Sequence, residues 1–288
     1  MLSPEQISIF EVGPRDGLQN EKRLISTKDK IRLINLLSST GLKRIEATSF
    51  VSPKWVPQMA DAEQIFAGIE RVGSIKYSAL TPNLKGYERA KQAGANEVAV
   101  FSSASEAFSK KNINCSIAES LERFAPVFAM AKKDGIPVRG YVSCVVSCPY
   151  SGVVPPSKVA KVTEKLLKSG CYEVSLGDTV GVGTPDTINA MLQAVLEVVK
   201  VDRIAGHYHD TNGRALENIQ ASLERGLRVF DSAIGGLGGC PYAPGAKGNI
   251  STSDAVAMLH SESYETGIDM DRLREAEAFV SFLKEHDK

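Results

Sequence analysis

Two histidines separated by a single residue, His207 and His209, are the side chains of this sequence best suited to bind a metal ion. Neutral imidazole is the commonest metal ligand in proteins, and residues two apart on a strand point to the same face. For an isolated His-x-His, a pair of hydrogen-bonded structural histidines is the alternative. An aspartate at the end of another strand would favour the metal site, because it supplies an oxygen ligand. Nitrogen and oxygen ligands together suit Mg²⁺, Mn²⁺ or Co²⁺ better than a closed zinc site.

Arg15 and Asp16 form a second reactive pair, at the end of a β-rich run near the start of the chain. Adjacent residues face different ways on a strand, but the flanking Pro14 and Gly17 favour a turn. A guanidinium cannot lose its charge at ordinary pH, so Arg15 is suited to stabilise a developing oxyanion. The alternative is a loop salt bridge of little consequence. Two further acidic residues lie on or at the end of predicted strands: Glu46 and Asp178.

The glycine-rich segment 235–249 contains six glycines among its fifteen residues, with Cys240 among them. Such a loop can adopt positive φ and can move, and a core gains nothing from ordering it. Cys240 is therefore predicted to be placed for access rather than for packing. Cys144 and Cys148 are separated by three residues, which does not match the Cys-x₂-Cys motif of redox-active or metal-binding cysteines. Packing roles are predicted for the other cysteines: Cys115, Cys144, Cys148 and Cys171.

Eight short β-rich runs that alternate with amphipathic segments would position these residues. The runs lie near Ile7–Val12, Arg44–Ser49, Lys76–Leu80, Glu97–Phe101, Val138–Ser143, Glu173–Leu176, Ile204–Tyr208 and Arg228–Ala233. Strict alternation implies a parallel sheet, and eight units in about 235 residues fit a (β/α)₈ TIM barrel. An open doubly wound sheet that binds a dinucleotide would have a Gly-x-Gly-x-x-Gly motif after the first strand. The segment Gly13–Gly17 does not match that motif. We predict a single barrel domain over 1–288, with residues after about 254 forming one or two extra C-terminal helices.

In such barrels the active site lies at the carboxyl ends of the strands, where the reactive residues above collect. The 34 basic and 34 acidic side chains leave no net charge, which argues against nucleic acid or an anionic membrane as partner. An odd set of five cysteines fits a reducing compartment. The first residues show no signal or transit pattern, and no long apolar run follows. A cytoplasmic protein is expected.

Four segments of the chain closely resemble the 3-hydroxy-3-methylglutaryl-CoA (HMG-CoA) lyase family. They are Glu11–Glu21, Thr48–Met59, His207–Gly213 and the loop that carries Cys240. Their order and spacing agree from about Ile7 to Asn249, and the Cys240 loop is the most specific of the four. A wider group of metal-dependent TIM-barrel lyases and Claisen synthases shares the Arg-Asp and His-x-His elements.

The resemblance implies divalent-metal-dependent cleavage of HMG-CoA, or of a close 3-hydroxyglutaryl-CoA analogue, to acetoacetate and acetyl-CoA. It also implies Mg²⁺ or Mn²⁺ as cofactor, an acyl-CoA substrate, a place in leucine degradation and ketone body formation, and by analogy a homodimer. The implied metal ligands are Asp16, His207, His209 and Asn249. The implied catalytic residues are Arg15, Glu46, Asp178, His207 and Cys240, and Gln19 and Tyr141 match positions near the family's site.

One departure from the family pattern leaves the acyl chain open. Where the family reads Ala-Thr-Glu-Asp after the asparagine that matches Asn249, this chain has Ser251-Thr-Ser-Asp254, so Ser253 removes an acidic residue. Two other functions are consistent with part of the pattern. A Claisen-type synthase acting on acetyl-CoA and a 2-oxo acid would usually carry a long C-terminal extension and lack the Cys240 loop. A catalytically silent acyl-CoA or metal-binding protein would have lost part of the constellation, yet no expected residue is missing.

Overall fold

A closed barrel of eight parallel strands forms the centre of the molecule, in a computed structural model that describes residues 5–21, 23–238 and 248–285. The strands are β1 Ser8–Glu11, β2 Arg44–Ser49, β3 Lys76–Leu80, β4 Glu97–Ser103, β5 Val138–Ser143, β6 Cys171–Asp178, β7 Ile204–Tyr208 and β8 Val229–Ser232. Each strand pairs with the strands before and after it in the chain, and β1 closes the barrel by pairing with β8. The predicted (β/α)₈ TIM barrel is confirmed, and every predicted strand overlaps an observed one.

Helices surround the barrel and occupy the connections between strands. They are α1 Thr27–Ser38, α2 Ala62–Gly68, α3 Leu84–Ala93, α4 Glu106–Ile113, α5 Ile117–Asp134, α6 Pro156–Ser169, α7 Pro185–Leu196, α8 Ala215–Glu224, α9 Thr252–Ser261 and α10 Met270–Glu285. Several helices begin and end at residues whose side chain or backbone caps them. Ser116 and Glu119 form a reciprocal capping box at the start of α5, and Gly135 ends it with a left-handed residue, which satisfies the exposed backbone groups at both ends.

The elements that the sequence pattern did not predict include a short helix and a hairpin. Helix α4 precedes α5 in the connection after β4. Between β5 and α6, a hairpin pairs the two-residue strands Ser147–Cys148 and Gly152–Val153. Both are too short for hydrophobic periodicity to distinguish them from loops. At the carboxyl end, α9 follows β8, and α10 packs against α1 and α9.

The apolar core lies between the strands and the helices, where the inner stripe of α1 (Leu33, Ile34 and Leu37) is fully buried. The barrel interior, by contrast, carries charge: Arg139, Glu173 and Asp231 are buried and ion-paired. The four described cysteines (Cys115, Cys144, Cys148 and Cys171) are buried free thiols, consistent with the packing roles predicted for them. None of the helices in the described part of the chain combines the length and the apolar character that crossing a bilayer would require.

Candidate metal centre and active site

A π-helical turn, Gly13–Gly17, directly follows β1 and presents two adjacent charged side chains to the mouth of the barrel. The carbonyl of Val12 accepts hydrogen bonds from the amides of Arg15 and Asp16, at 3.1 and 2.7 Å. The buried Glu11 carboxylate accepts from the amide of Gly13 at 2.8 Å. Because the chain turns here, neighbouring side chains need not face opposite ways, and Nη1 of Arg15 lies 2.5 Å from Oδ1 of Asp16. The predicted turn is present.

Asp16, His207 and His209 form a cluster in which each residue offers one ligand atom and these atoms lie within 4.8 Å of one another. The two imidazoles come from the end of β7 and the residue after it, and their ring centroids are 5.3 Å apart. Asn249 lies beside them, because its backbone forms a β-bridge with His209. Its Nδ2 donates to Oδ2 of Asp16 at 2.9 Å, which makes Oδ1 the atom of Asn249 that could bind a cation.

The electrostatics of this cluster suit a divalent cation. Burial alone would raise the pKa of Asp16, but the charges of Arg15 and the two histidines outweigh it and lower that pKa to about 2. Burial, followed by the charge of His207, lowers the pKa of His209 to about 4. At neutral pH the cluster therefore offers a carboxylate and a neutral imidazole, the forms that bind metals. Nδ1 of His209 is buried without a hydrogen-bond partner, as expected for a group that serves a bound species.

Arg15 is held rigidly beside the cluster. It is 5% exposed, and its Nε donates to Oε2 of the buried Glu46 at 2.5 Å. The guanidinium also lies 5.4 Å from the ring centroid of Tyr141. Oε1 of Glu46 and the hydroxyl of Tyr141 are buried polar atoms without partners. The mouth of the barrel thus combines a fixed cation with two polar atoms that a substrate could satisfy.

The remaining predicted site residues divide into three cases. Gln19 lies at the cluster and donates to Oδ1 of Asp16 at 3.3 Å. Asp178 is fully buried, but its Oδ2 accepts from the amide of Gly183 at 2.7 Å. In the described structure Asp178 makes no hydrogen bond to the cluster, because it is in register with Tyr208 rather than with His207. Cys240 lies outside the described residues.

The family model for HMGL-like proteins matches residues 6–280. The chain belongs to the HMGL-like family. It is 56% identical over 277 residues to the mitochondrial hydroxymethylglutaryl-CoA lyase of Bos taurus, an alignment covering 96% of this chain and 85% of the bovine one. It is 55% identical over 276 residues to the 3-hydroxy-3-isohexenylglutaryl-CoA/hydroxy-methylglutaryl-CoA lyase of Pseudomonas aeruginosa, covering 96% and 92%. The predicted relationship to the HMG-CoA lyases is confirmed.

Solved structures of HMGL-like enzymes share the whole fold. The HMG-CoA lyase of Brucella melitensis superposes with a TM-score of 0.97 at 62% identity, covering 98% of this chain and 99% of that one. An HMG-CoA lyase from Acinetobacter baumannii in complex with coenzyme A and 3-methylmalate gives a TM-score of 0.92 at 40% identity, covering 98% and 92%. The similarity extends over the entire barrel and its flanking helices.

The sequence did not predict the buried charged residues of this HMGL-like barrel that contact the metal cluster from the barrel interior. Nδ1 of His207 lies 3.2 Å from Oδ2 of Asp231, and Arg139 pairs with both oxygens of that carboxylate. Burial alone would lower the pKa of His207, but the hydrogen bond and charge of Asp231 raise it. Arg139 and Asp231 lie on strands that the sequence predicts to be buried. Buried charges need partners, so this pattern could have indicated an ion pair inside the barrel.

Proposed function

We propose that this HMGL-like enzyme cleaves HMG-CoA to acetoacetate and acetyl-CoA with the help of a divalent cation. The observation that carries the proposal is the metal-binding cluster of Asp16, His207 and His209, with Arg15 paired to Asp16 at its edge. Cleavage of the carbon–carbon bond requires two things at neighbouring positions. The tertiary hydroxyl must lose a proton, and a thioester enolate must be stabilised as it leaves. The cluster would hold the cation beside the hydroxyl, and the guanidinium of Arg15 would lie beside the enolate.

Asp16, His207 and His209 would hold the cation, with Oδ1 of Asn249 as a further ligand. When bound, the cation would polarise the substrate hydroxyl and lower its pKa. Mg²⁺ or Mn²⁺ fits this mixture of oxygen and nitrogen donors best. Asn249 also orients the carboxylate through its hydrogen bond to Asp16.

Arg15 would stabilise the enolate oxygen of the departing acetyl-CoA. A guanidinium has five donors in a planar fork, and the contacts with Glu46 and Asp16 occupy Nε and Nη1. These two contacts fix the plane of the group before the substrate arrives, so the donors need no reorganisation as charge develops. We propose that the catalytic role of Glu46 is to hold Arg15 in this orientation.

Two proton transfers complete the reaction. Asp178 is the candidate to accept the hydroxyl proton. A neutral imidazole has a single lone pair, so His207 cannot bind the cation and accept that proton at the same time, and its catalytic role would be to hold the cation. Burial raises the pKa of Asp178, which brings a carboxylate closer to the range useful for a general base. Cys240 is proposed to protonate the acetyl-CoA carbanion after the bond breaks.

An acetoacetate-release assay on the purified protein tests the proposed function. With Mg²⁺ or Mn²⁺ we expect stoichiometric acetoacetate and acetyl-CoA from HMG-CoA, and loss of activity after complete chelation that is restored by either cation. Activity that survives complete removal of metal would contradict the metal mechanism. Consumption of acetyl-CoA together with a 2-oxo acid, without turnover of any 3-hydroxyglutaryl-CoA, would instead indicate a Claisen synthase.

A broader substrate range is a second proposal. The Pseudomonas relative is named for both an isohexenyl-branched and a methyl-branched substrate. In this chain, Ser253 stands where the family has an acidic residue, four positions after Asn249. Comparing kcat/KM for HMG-CoA and for a longer-branched 3-hydroxyglutaryl-CoA would determine the preferred acyl chain.

We propose that the enzyme is a cytoplasmic homodimer acting in leucine degradation and ketone body formation, with acyl-CoA as its partner rather than nucleic acid or membrane. The free thiols of the four described cysteines support a reducing compartment. The bovine relative is named as mitochondrial, so fractionation of the source cells tests the compartment. Equilibrium sedimentation tests the dimer.

A further inference from the structure

Asp231, on β8 inside the barrel, lies directly beneath one of the two histidines of the metal cluster. Its Oδ2 lies 3.2 Å from Nδ1 of His207. The same carboxylate accepts two hydrogen bonds from Arg139, at 2.7 and 3.0 Å, and one from the hydroxyl of Ser175 at 2.7 Å. All four side chains are buried.

The chemistry of these contacts determines which nitrogen of His207 carries the proton. A carboxylate held by both arms of a guanidinium is ionised, and an ionised carboxylate only accepts hydrogen bonds. Nδ1 of a neutral His207 must therefore be the donor, which leaves the lone pair on Nε2 for the metal. No such contact fixes the tautomer of His209, because its Nδ1 has no hydrogen-bond partner in the described structure.

We propose that Asp231 is a positioning residue: held by Arg139 and Ser175, it keeps His207 in the tautomer and ring orientation that present Nε2 to the cation. The inference rests on the proposed function, because it assumes that His207 binds the metal. The arrangement follows the general rule that a metal-bound histidine donates its second N–H to a supporting acceptor.

Asp231→Asn is the decisive variant, and Glu173→Gln is its matched control. Glu173 is also buried and accepts from Nε of Arg139 at 2.6 Å. Both substitutions therefore remove one negative charge beside the guanidinium of Arg139, but only Asp231 contacts His207. With its oxygen toward His207, an asparagine amide points its NH₂ group at Nη2 of Arg139, which is also a donor. With its nitrogen toward His207, it forces the imidazole proton onto Nε2.

We expect Asp231→Asn to weaken Mn²⁺ binding by about 10- to 100-fold, measured from the electron paramagnetic resonance signal of free Mn²⁺. Glu173→Gln should leave the dissociation constant within about threefold, since it contacts no ligand. An equal loss in both variants would overturn the proposal, because the effect would then come from the buried charge balance alone. No loss in Asp231→Asn would overturn it as well.

Two measurements remain decisive if Asp231→Asn does not fold. The first uses the metal-free wild-type protein, labelled with ¹⁵N-histidine, at a pH where His207 is neutral. Long-range ¹H–¹⁵N correlations should show the proton of His207 on Nδ1, with its signals assigned by their absence in His207→Gln. A proton on Nε2 would refute the proposal. The second is Ser175→Ala, which removes one donor to Asp231 without changing charge and should weaken Mn²⁺ binding measurably but less; unchanged binding would count against the proposal.

Failure of the proposed function would look different. If His207→Gln binds Mn²⁺ as tightly as the wild type does, His207 is not a ligand, and both the metal site and this inference are wrong. If His207→Gln loses Mn²⁺ while Asp231→Asn keeps it, the metal site stands and the positioning role of Asp231 alone is wrong.

Discussion

At the scale of single residues, the site depends on how Arg15 is held. Its Nε and Nη1 each contact a different carboxylate, on Glu46 and Asp16. Only a planar fork can contact both with fixed geometry, and a lysine ammonium on a flexible stem cannot. The position therefore tolerates no exchange between basic residues, although the charge would be kept.

Arg15→Lys is expected to lower kcat by about 10²- to 10³-fold, the usual cost of losing one oriented oxyanion donor. Mn²⁺ affinity should change little, because the ligands remain. Arg44→Lys serves as the control, since Arg44 pairs with Glu97 and Glu173 inside the barrel. Steady-state kinetics on both variants, with thermal unfolding measured alongside, tests the prediction. Equal losses of kcat would show that the effect is one of stability.

Cys240→Ser is expected to keep Mn²⁺ binding and to lose most of kcat, because a hydroxyl is a far weaker acid than a thiol. The matched control is Cys115→Ser, at a buried cysteine that serves packing. That control should lower the unfolding temperature and leave kcat nearly unchanged. Full activity in Cys240→Ser would exclude the thiol from proton transfer.

At the scale of elements, the turn that follows β8 brings the chain against the metal residues. Gly238 has a φ of +93°, and a Cβ there would lie 2.9 Å from Nδ2 of Asn249. The amide of Asn249 also donates to the carbonyl of Gly238 at 3.2 Å. The turn can approach Asn249 this closely only because the residue has no side chain.

Gly238→Ala is expected to destabilise the fold by about 1–2 kcal/mol, the cost of a left-handed backbone for an alanine, and also to weaken Mn²⁺ binding by displacing Asn249. Gly135→Ala is the control, because Gly135 has a φ of +68° with no atom within 4 Å of its Cβ position. It should lose similar stability without any change in affinity. Denaturant unfolding and Mn²⁺ titration distinguish the two effects. Unchanged Mn²⁺ binding in Gly238→Ala would show that the close contact is irrelevant to the metal site.

At the scale of the whole molecule, the closure of the barrel assembles the site. Asp16 follows β1, the histidines come from the end of β7, and Asn249 follows β8. These segments are far apart in the chain but adjacent in space, because β1 pairs with β8 and β8 pairs with β7. A cation bound here would cross-link the first and last strands of the barrel.

Saturating Mn²⁺ is therefore expected to stabilise the protein. At one hundred times the dissociation constant, linkage predicts about 2.7 kcal/mol, or roughly 5 °C in Tm for a chain of this size. His209→Gln should abolish the shift, whereas His260→Gln on α9 should retain it, since His260 is exposed and outside the cluster. Differential scanning calorimetry with and without Mn²⁺ tests this. An undiminished shift in His209→Gln would place the cation elsewhere.

The strands and most helices could be predicted from the sequence because their signals are local. Alternating strand and helix patterns, capping residues such as Thr184 and glycine helix ends such as Gly135 each act within a few residues. Helix α4 and the hairpin at 147–153 were missed because short elements owe their structure to neighbours rather than to periodicity. The residues of the metal cluster were found because His-x-His and Arg-Asp are local patterns too.

By itself, the sequence determined the barrel, the family and the identities of the candidate ligands, since periodicity, motifs and residue chemistry each depend on residues close together in the chain. Only the tertiary structure decided which charges meet. The partnership of His207 with Asp231, and of Asp231 with Arg139, joins β7, β8 and β5, and no local pattern specifies it. The register of β6 on β7 likewise decided that Asp178 lies level with Tyr208. The physical reason is that a buried ionic group is stable only beside its partner, and in a closed barrel that partner comes from a distant part of the chain.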